Sequence, residues 1–312
     1  MKTRGIVSFT SVLVLAALAC NMTGFLRSSY PPTPTPPAAP EAPMTPTPAS
    51  ALTVDQVKNM QVTLQAGDRH PTVRLAKGSY VNGVDPVAPG FVSVNMPDTI
   101  AFGDLNHDGA EDAAALLAEN YGGTGVFTSV LAILNVNGEP VQVGAYTIDD
   151  RPMPSGLRIQ DGKIVFGGSI HAPNDPGCCP TFPVVETFGL SKGGLQLERL
   201  ASTTPTGQLR AINVESPQTG EQLPAGPLHI RGSFTISPFE NTFACKVKDA
   251  TGKEWFSGPL SVQAEMGKPG TFDNQIDLSM IPPGILVRLE IVDVSAADGS
   301  TLAMDSVELM IK

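Results

Sequence analysis

Basic residues are scarce. Twenty Lys and Arg stand against thirty Asp and Glu, a net charge of −10 over 312 residues, and a partner held by phosphate charge needs the opposite balance, so nucleic acid is excluded as a ligand class. Cysteine is scarcer still, with four in the chain, which rules out a disulfide-dense miniprotein. No G-x-S-x-G, H-E-x-x-H or P-loop occurs, and no G-x-G-x-x-G opens a helix. Of the four histidines, His70, His107 and His229 lack the Ser or Cys setting of a nucleophilic site. No reaction is therefore named by the sequence. Gly (31) and Pro (29) are plentiful and aromatics make up only 6%, the composition of a turn-rich, β-rich exported protein. The length suggests two modest domains with accessory segments.

The one long apolar run, Ile6 to Ala19, follows Lys2 and Arg4. It suits a signal-peptide core and falls short of the roughly 20 residues a bilayer span needs. It ends Ala17-Leu18-Ala19-Cys20, which resembles the lipobox of bacterial lipoproteins, with Ala17 where Leu is commoner. That resemblance implies removal of residues 1–19, a diacylglycerol on Cys20, and attachment to the extracytoplasmic side of the cell membrane, since two acyl chains give a stable anchor. Residues 20–50 then form a tether: from Pro31 to Pro48, nine of eighteen residues are Pro and four are Thr. Such a segment prefers polyproline II and reaches ~55 Å at about 3.1 Å per residue.

Residues 51–206 read as a β-rich (α+β) domain carrying sixteen acidic and nine basic residues. Thr53 is placed to cap a short helix over Val54–Met60. Apolar runs at Ala113–Ala118 and Val126–Val136 flank a Gly-rich turn and predict a hairpin, and Asp161-Gly162 introduces another strand at Lys163–Phe166. The pair Asp149-Asp150 is expected to be an exposed turn. Between Phe102 and Ala113 lies Asp104-Leu105-Asn106-His107-Asp108-Gly109-Ala110-Glu111-Asp112. Ca²⁺ takes six to eight oxygens, and loop positions 1, 3 and 5 converge on one ion where Gly at position 6 permits the turn. Asp104, Asn106, Asp108 and Asp112, with the Ala110 carbonyl, form the candidate metal set. Position 12 is Ala115 and not the Glu of an EF-hand; the loop resembles the calcium loops of FG-GAP repeats. A metal-free Asx-rich turn is the competing expectation.

The string His171-Ala172-Pro173-Asn174-Asp175-Pro176-Gly177-Cys178-Cys179-Pro180-Thr181 is the second unusual feature. In an oxidising compartment Cys178 and Cys179 are expected to pair with each other and pin the loop. A thiol switch, a metal site with His171 and Asp175, and pairing with Cys245 or between molecules are the alternatives; adjacent cysteines fit a tetrahedral shell poorly.

In 207–312 apolar and polar residues alternate. Val287, Leu289 and Ile291 share one face, as do Val307, Leu309 and Ile311, and Phe243, Cys245 and Val247. About seven short strands separated by turn signals predict an antiparallel β-sandwich, with Cys245 a buried free thiol and Phe239 in the core. The segments Ile212-Asn213-Val214-Glu215-Ser216-Pro217, Gly226-Pro227-Leu228-His229-Ile230-Arg231-Gly232, Phe239-Glu240-Asn241, Gly270-Thr271-Phe272 and Ser295-Ala296-Ala297-Asp298-Gly299 resemble the bacterial spore germination immunoglobulin-like (Gmad-type) domain. That resemblance implies an immunoglobulin-like fold in an exported or lipid-anchored protein. The whole reads as a mainly β, non-enzymatic binding or scaffolding protein of the bacterial cell envelope, with a protein or envelope polymer as partner. The alternative is an extracytoplasmic hydrolase or thiol oxidoreductase with its site in 51–206.

Overall fold

The computed structural model describes residues 50–65, 70–191 and 194–312; the expected signal peptide, the expected lipid site Cys20 and the expected tether, through residue 49, lie outside them. Near the start, the Thr53 hydroxyl accepts the Gln56 N–H at 3.2 Å while the Gln56 side chain accepts the Thr53 N–H at 2.9 Å. This reciprocal capping box starts a helix of a single short stretch, Val54–Lys58.

The predicted hairpin is the centre of the first sheet. Strands Asp112–Asn120 and Phe127–Val136 pair antiparallel, with Ala113 opposite Ile133 and Glu119 opposite Phe127. Glu139–Asp150 extends the sheet on one side and Val92–Asn95 and Ser79–Asn82 on the other, with Ile100–Gly103 also paired to Asp112–Asn120. The hairpin reads as unbroken apolar sequence because it is buried on both faces. Ala113, Ala115, Leu117, Leu131 and Ile133 pack into one core, and Ala114, Leu116, Val130 and Ala132 into another.

That second core is closed by a larger sheet. Met153–Gln160 turns through Asp161-Gly162 into Lys163–Ile170. Both turn residues have positive φ (52° and 71°), the conformation that two-residue hairpin loops demand and that Asp-Gly supplies. The sheet continues through Phe182–Ser191 and Gly194–Thr203 and then crosses the expected division at 206/207 without a break. Gly194–Thr203 pairs with Thr301–Ile311 through Arg199 opposite Asp305 and Leu200 opposite Met304. Leu286–Val294, Thr242–Asp249 and Glu254–Ser261 complete it. All described residues fall within one compact unit, Thr47–Lys312.

Beyond the crossing, the same sheet faces a three-stranded one made of Ile212–Ser216, Pro227–Phe234 and Gly270–Asp277, giving the predicted immunoglobulin-like sandwich. Phe243, Cys245, Val247, Val287, Leu289, Ile291, Leu309 and Ile311 point inward against Ile230, Phe234 and Phe272. Cys245 is a free thiol whose burial pushes its pKa up to about 12, because the thiolate is poorly solvated there. Phe239 departs from expectation: it is 61% exposed. It is placed there by Glu240 and Asn241, both at positive φ, which turn the chain outward just before the strand begins.

A buried carboxylate binds the crossing together. Asp305 accepts from Arg199 Nε at 3.1 Å and Nη2 at 3.0 Å and from the Val214 N–H at 2.7 Å. Burial raises its pKa against the opposing pull of Arg199. Asp305→Ala should cost about 2 kcal/mol, since it strands the Val214 N–H and removes a bidentate charged pair; the half-exposed Arg199 limits the loss. Urea denaturation measures this, and an unchanged midpoint would show that the strands are held together elsewhere.

Candidate functional site

The crossing creates a cleft. The end of Glu139–Asp150, the loop that follows Lys163–Ile170, and the 295–302 turn surround a concavity of about 680 Å³. Its floor is apolar, with Ile170, Phe182, Leu200 and Leu302, and its rim carries Asp149, Asp150, Asp175 and Asp298. Both halves of the chain therefore contribute, which no reading of either half alone would produce. Pockets of this kind, apolar with a few convergent polar groups, are the usual form of a ligand site.

Each rim carboxylate is held by donors of the chain itself. Asp149 Oδ2 accepts the His171 N–H at 2.6 Å and faces His171 Nδ1 at 2.8 Å. Asp149 thereby raises the His171 pKa, helped by the Pro176 carbonyl, which lies outside hydrogen-bond geometry. The other ring nitrogen, Nε2, is buried without a hydrogen-bond partner. Asp150 accepts from Arg151 Nε and Nη2 and from the Val126 N–H, and Arg151 chiefly holds its pKa down. Asp175 accepts the Ala172 N–H at 2.8 Å, the Thr181 N–H at 2.6 Å and the Thr181 hydroxyl at 2.8 Å. The pKa of Asp175 is lowered, chiefly by the Ala172 amide. Asp298 is likewise lowered by the Ser300 amide and hydroxyl.

Beside this array lies Glu186, on Phe182–Ser191 opposite Phe166 and Leu200. It is 3% exposed, and its Oε2 has no partner. Desolvation, with a smaller contribution from the Asp149 charge, raises its pKa from 4.5 to about 7. A carboxyl in such a place is most stable protonated.

The structure thus brings His171 and Asp175 together at the rim and puts Cys178 and Cys179, bonded to each other, on the same loop. The expected exposed turn at Asp149-Asp150 is instead a half-buried strand end that fixes that loop. Glu186 and Asp298 were missed. Glu186 carries no local signal, since a Glu between Val185 and Thr187 looks like any outward strand position. Asp298 stands in the turn Asp298-Gly299, and the other carboxylates of the cleft lie over a hundred residues earlier.

The candidate calcium loop is elsewhere. Asp104 accepts the N–H groups of His107 at 2.7 Å and Gly109 at 3.0 Å, Asn106 that of Asp108 at 3.0 Å, and Asp108 that of Ala110 at 2.7 Å. Gly109 has φ 85°, the left-handed turn its position requires. Burial opposes ionisation of Asp104, but the Gly109 and His107 amides outweigh it and hold the pKa down. Asp112 does not face the other three: it is fully buried, and its oxygens accept the Leu105 and Asn135 N–H groups, each at 2.8 Å. Among the described residues, no group of three His, Cys, Asp or Glu side chains is arranged to hold a metal ion.

Residues 211–300 match Gmad2, the immunoglobulin-like domain of bacterial spore germination. The match covers less than a third of the chain and lies on the sandwich described above. No curated protein matches the chain.

Proposed function

We propose that this chain is a lipid-anchored extracytoplasmic binding or scaffolding protein of the bacterial cell envelope, attached through Cys20 and presenting the composite cleft to a protein or envelope polymer. The observation that carries this reading is the state of the cleft's polar groups. Every rim carboxylate is committed to the chain's own amides, hydroxyls or guanidinium, and the hydrogen bonds of His171 run to Asp149 and not to a hydroxyl or thiol. Nucleophilic catalysis by a side chain needs a hydroxyl or thiol within reach of a base; a binding surface needs a shaped apolar floor with fixed polar edges. The sandwich matched by the spore-germination family adds a non-catalytic domain of extracytoplasmic type.

Fractionation of cells expressing the full chain tests the anchor. The wild type should partition with membranes and Cys20→Ala should move to the soluble fraction; retention of the variant, with no lipid on wild-type Cys20 by mass spectrometry, would refute attachment there. The cleft is tested by Leu302→Arg, which places a charge on its floor. Envelope material retained by the wild-type chain should be lost from this variant, and equal retention would move the binding surface elsewhere.

A further inference from the structure

We propose that the Cys178–Cys179 bond is a reversible two-electron exchange site, reduced by a dithiol and reoxidised by a disulfide, and not a structural staple. A disulfide that stabilises by chain entropy does so by closing a loop, and the effect grows with the residues enclosed. This bond joins adjacent residues and closes only the eight-membered ring through their peptide, enclosing no intervening residue. The loop it sits on is already pinned without it. Asp175 ties residue 172 to residue 181 through three hydrogen bonds, and the Asp175 and Cys179 amides donate to the Ala172 and Pro176 carbonyls at 3.0 and 2.9 Å.

What the placement does provide is access and charge. Both cysteines are exposed, which leaves the bond open to an incoming thiolate. The Arg151 guanidinium lies 3.4 Å from where a Cβ on Gly177 would stand, and His171, its protonated form favoured by Asp149 and the Pro176 carbonyl, backs the same turn. Both cations are paired with carboxylates, Arg151 with Asp150 and His171 with Asp149, and what positive charge they lend to the turn favours the thiolate that must leave when the bond is attacked. Cys245 is the internal contrast, buried with its thiol held protonated.

The chemistry is ordinary exchange. One thiolate of the dithiol attacks one sulfur, forming a mixed disulfide and breaking the Sγ–Sγ bond, and the displaced cysteine takes a proton. The second thiol of the dithiol, as thiolate, then attacks the mixed disulfide and releases the second cysteine, which is protonated in turn. Two electrons and two protons have passed to the pair, and the dithiol leaves as its disulfide. Gly177 and Asp175, on the same turn, line the cleft. The inference does not depend on the anchor or on what the cleft binds.

The full chain under native conditions, treated with about 1 mM dithiothreitol and then iodoacetamide, should carry label on Cys178 and Cys179 and none on Cys245 in peptide mass spectra. Oxidised dithiothreitol should restore the bond. The reduced protein and the Cys178→Ser/Cys179→Ser variant should each melt within about 3 °C of the oxidised wild type, a shift that corresponds to about 1 kcal/mol at this size. A pair that resists reduction until the chain is unfolded, or a larger drop in melting temperature in either form, would overturn the proposal and make the bond structural.

Discussion

Replacing Asp112 by Ala should remove roughly 2–6 kcal/mol of stability, because two buried N–H groups lose their acceptor and each stranded group costs about 1–3 kcal/mol. The groups are those of Leu105, where the acidic loop begins, and Asn135, near the end of the central hairpin. Asp112 opens the partner strand of that hairpin, so one carboxylate ties the loop to both strands. Asp112→Asn keeps one carbonyl acceptor and should lose about half as much. Urea denaturation of the full chain measures both. Repeating the measurement with millimolar Ca²⁺ separates this role from ion binding: if calcium stabilises the wild type and Asp112→Ala abolishes that gain, Asp112 is a ligand by mass action. An identical loss with and without calcium identifies it as a backbone acceptor, which is the expected result.

The second large effect is on pH dependence. The Glu186 carboxyl titrates at about 7 in the folded protein against 4.5 ordinarily. Between those values the folded chain holds a proton that the unfolded chain has released, so stability falls as pH rises. The contribution is fully present below pH 4.5 and gone above about 7, a change of roughly 3 kcal/mol at about 1.4 kcal/mol per unit. His171, also raised, adds a loss of the same sign as pH rises. The lowered carboxyls Asp104, Asp150, Asp175 and Asp298 oppose it only below their ordinary value, where stability falls as they protonate. Glu186→Gln mimics the protonated form at every pH. It should be more stable than the wild type at pH 8 by most of that 3 kcal/mol and nearly equal to it at pH 4.5, with the slopes of His171 and of the raised carboxyls Asp305 and Asp293 remaining. Denaturation curves at pH 5, 6, 7 and 8 that run parallel for the two proteins would show that Glu186 is not the titrating group.

Much of this architecture follows from residues that are neighbours in the chain. Alternation at 287–291 and 307–311 specifies which face is buried, because successive strand side chains point to opposite sides. The Asp161-Gly162 turn and the Thr53 cap are likewise local, each settled by conformations that only a few residue types favour. Residues 211–300 carried enough such signals for the immunoglobulin-like sandwich and its family resemblance to be read in advance. What local pattern does not contain is the pairing of Gly194–Thr203 with Thr301–Ile311, and the cleft exists because of that pairing. Asp149 became the support of His171, Asp298 joined a rim with Asp175, and Glu186 was enclosed rather than solvated. In each instance the decisive neighbour lies far along the chain, or the decisive quantity is burial, which belongs to the assembled fold. The same distinction governs the Cys178–Cys179 pair. Adjacency alone determined that the bond encloses no intervening residue, whereas the clamp by Asp175 and the nearby Arg151 and His171, which bear on its chemistry, were decided only when the distant strand ends were brought beside it.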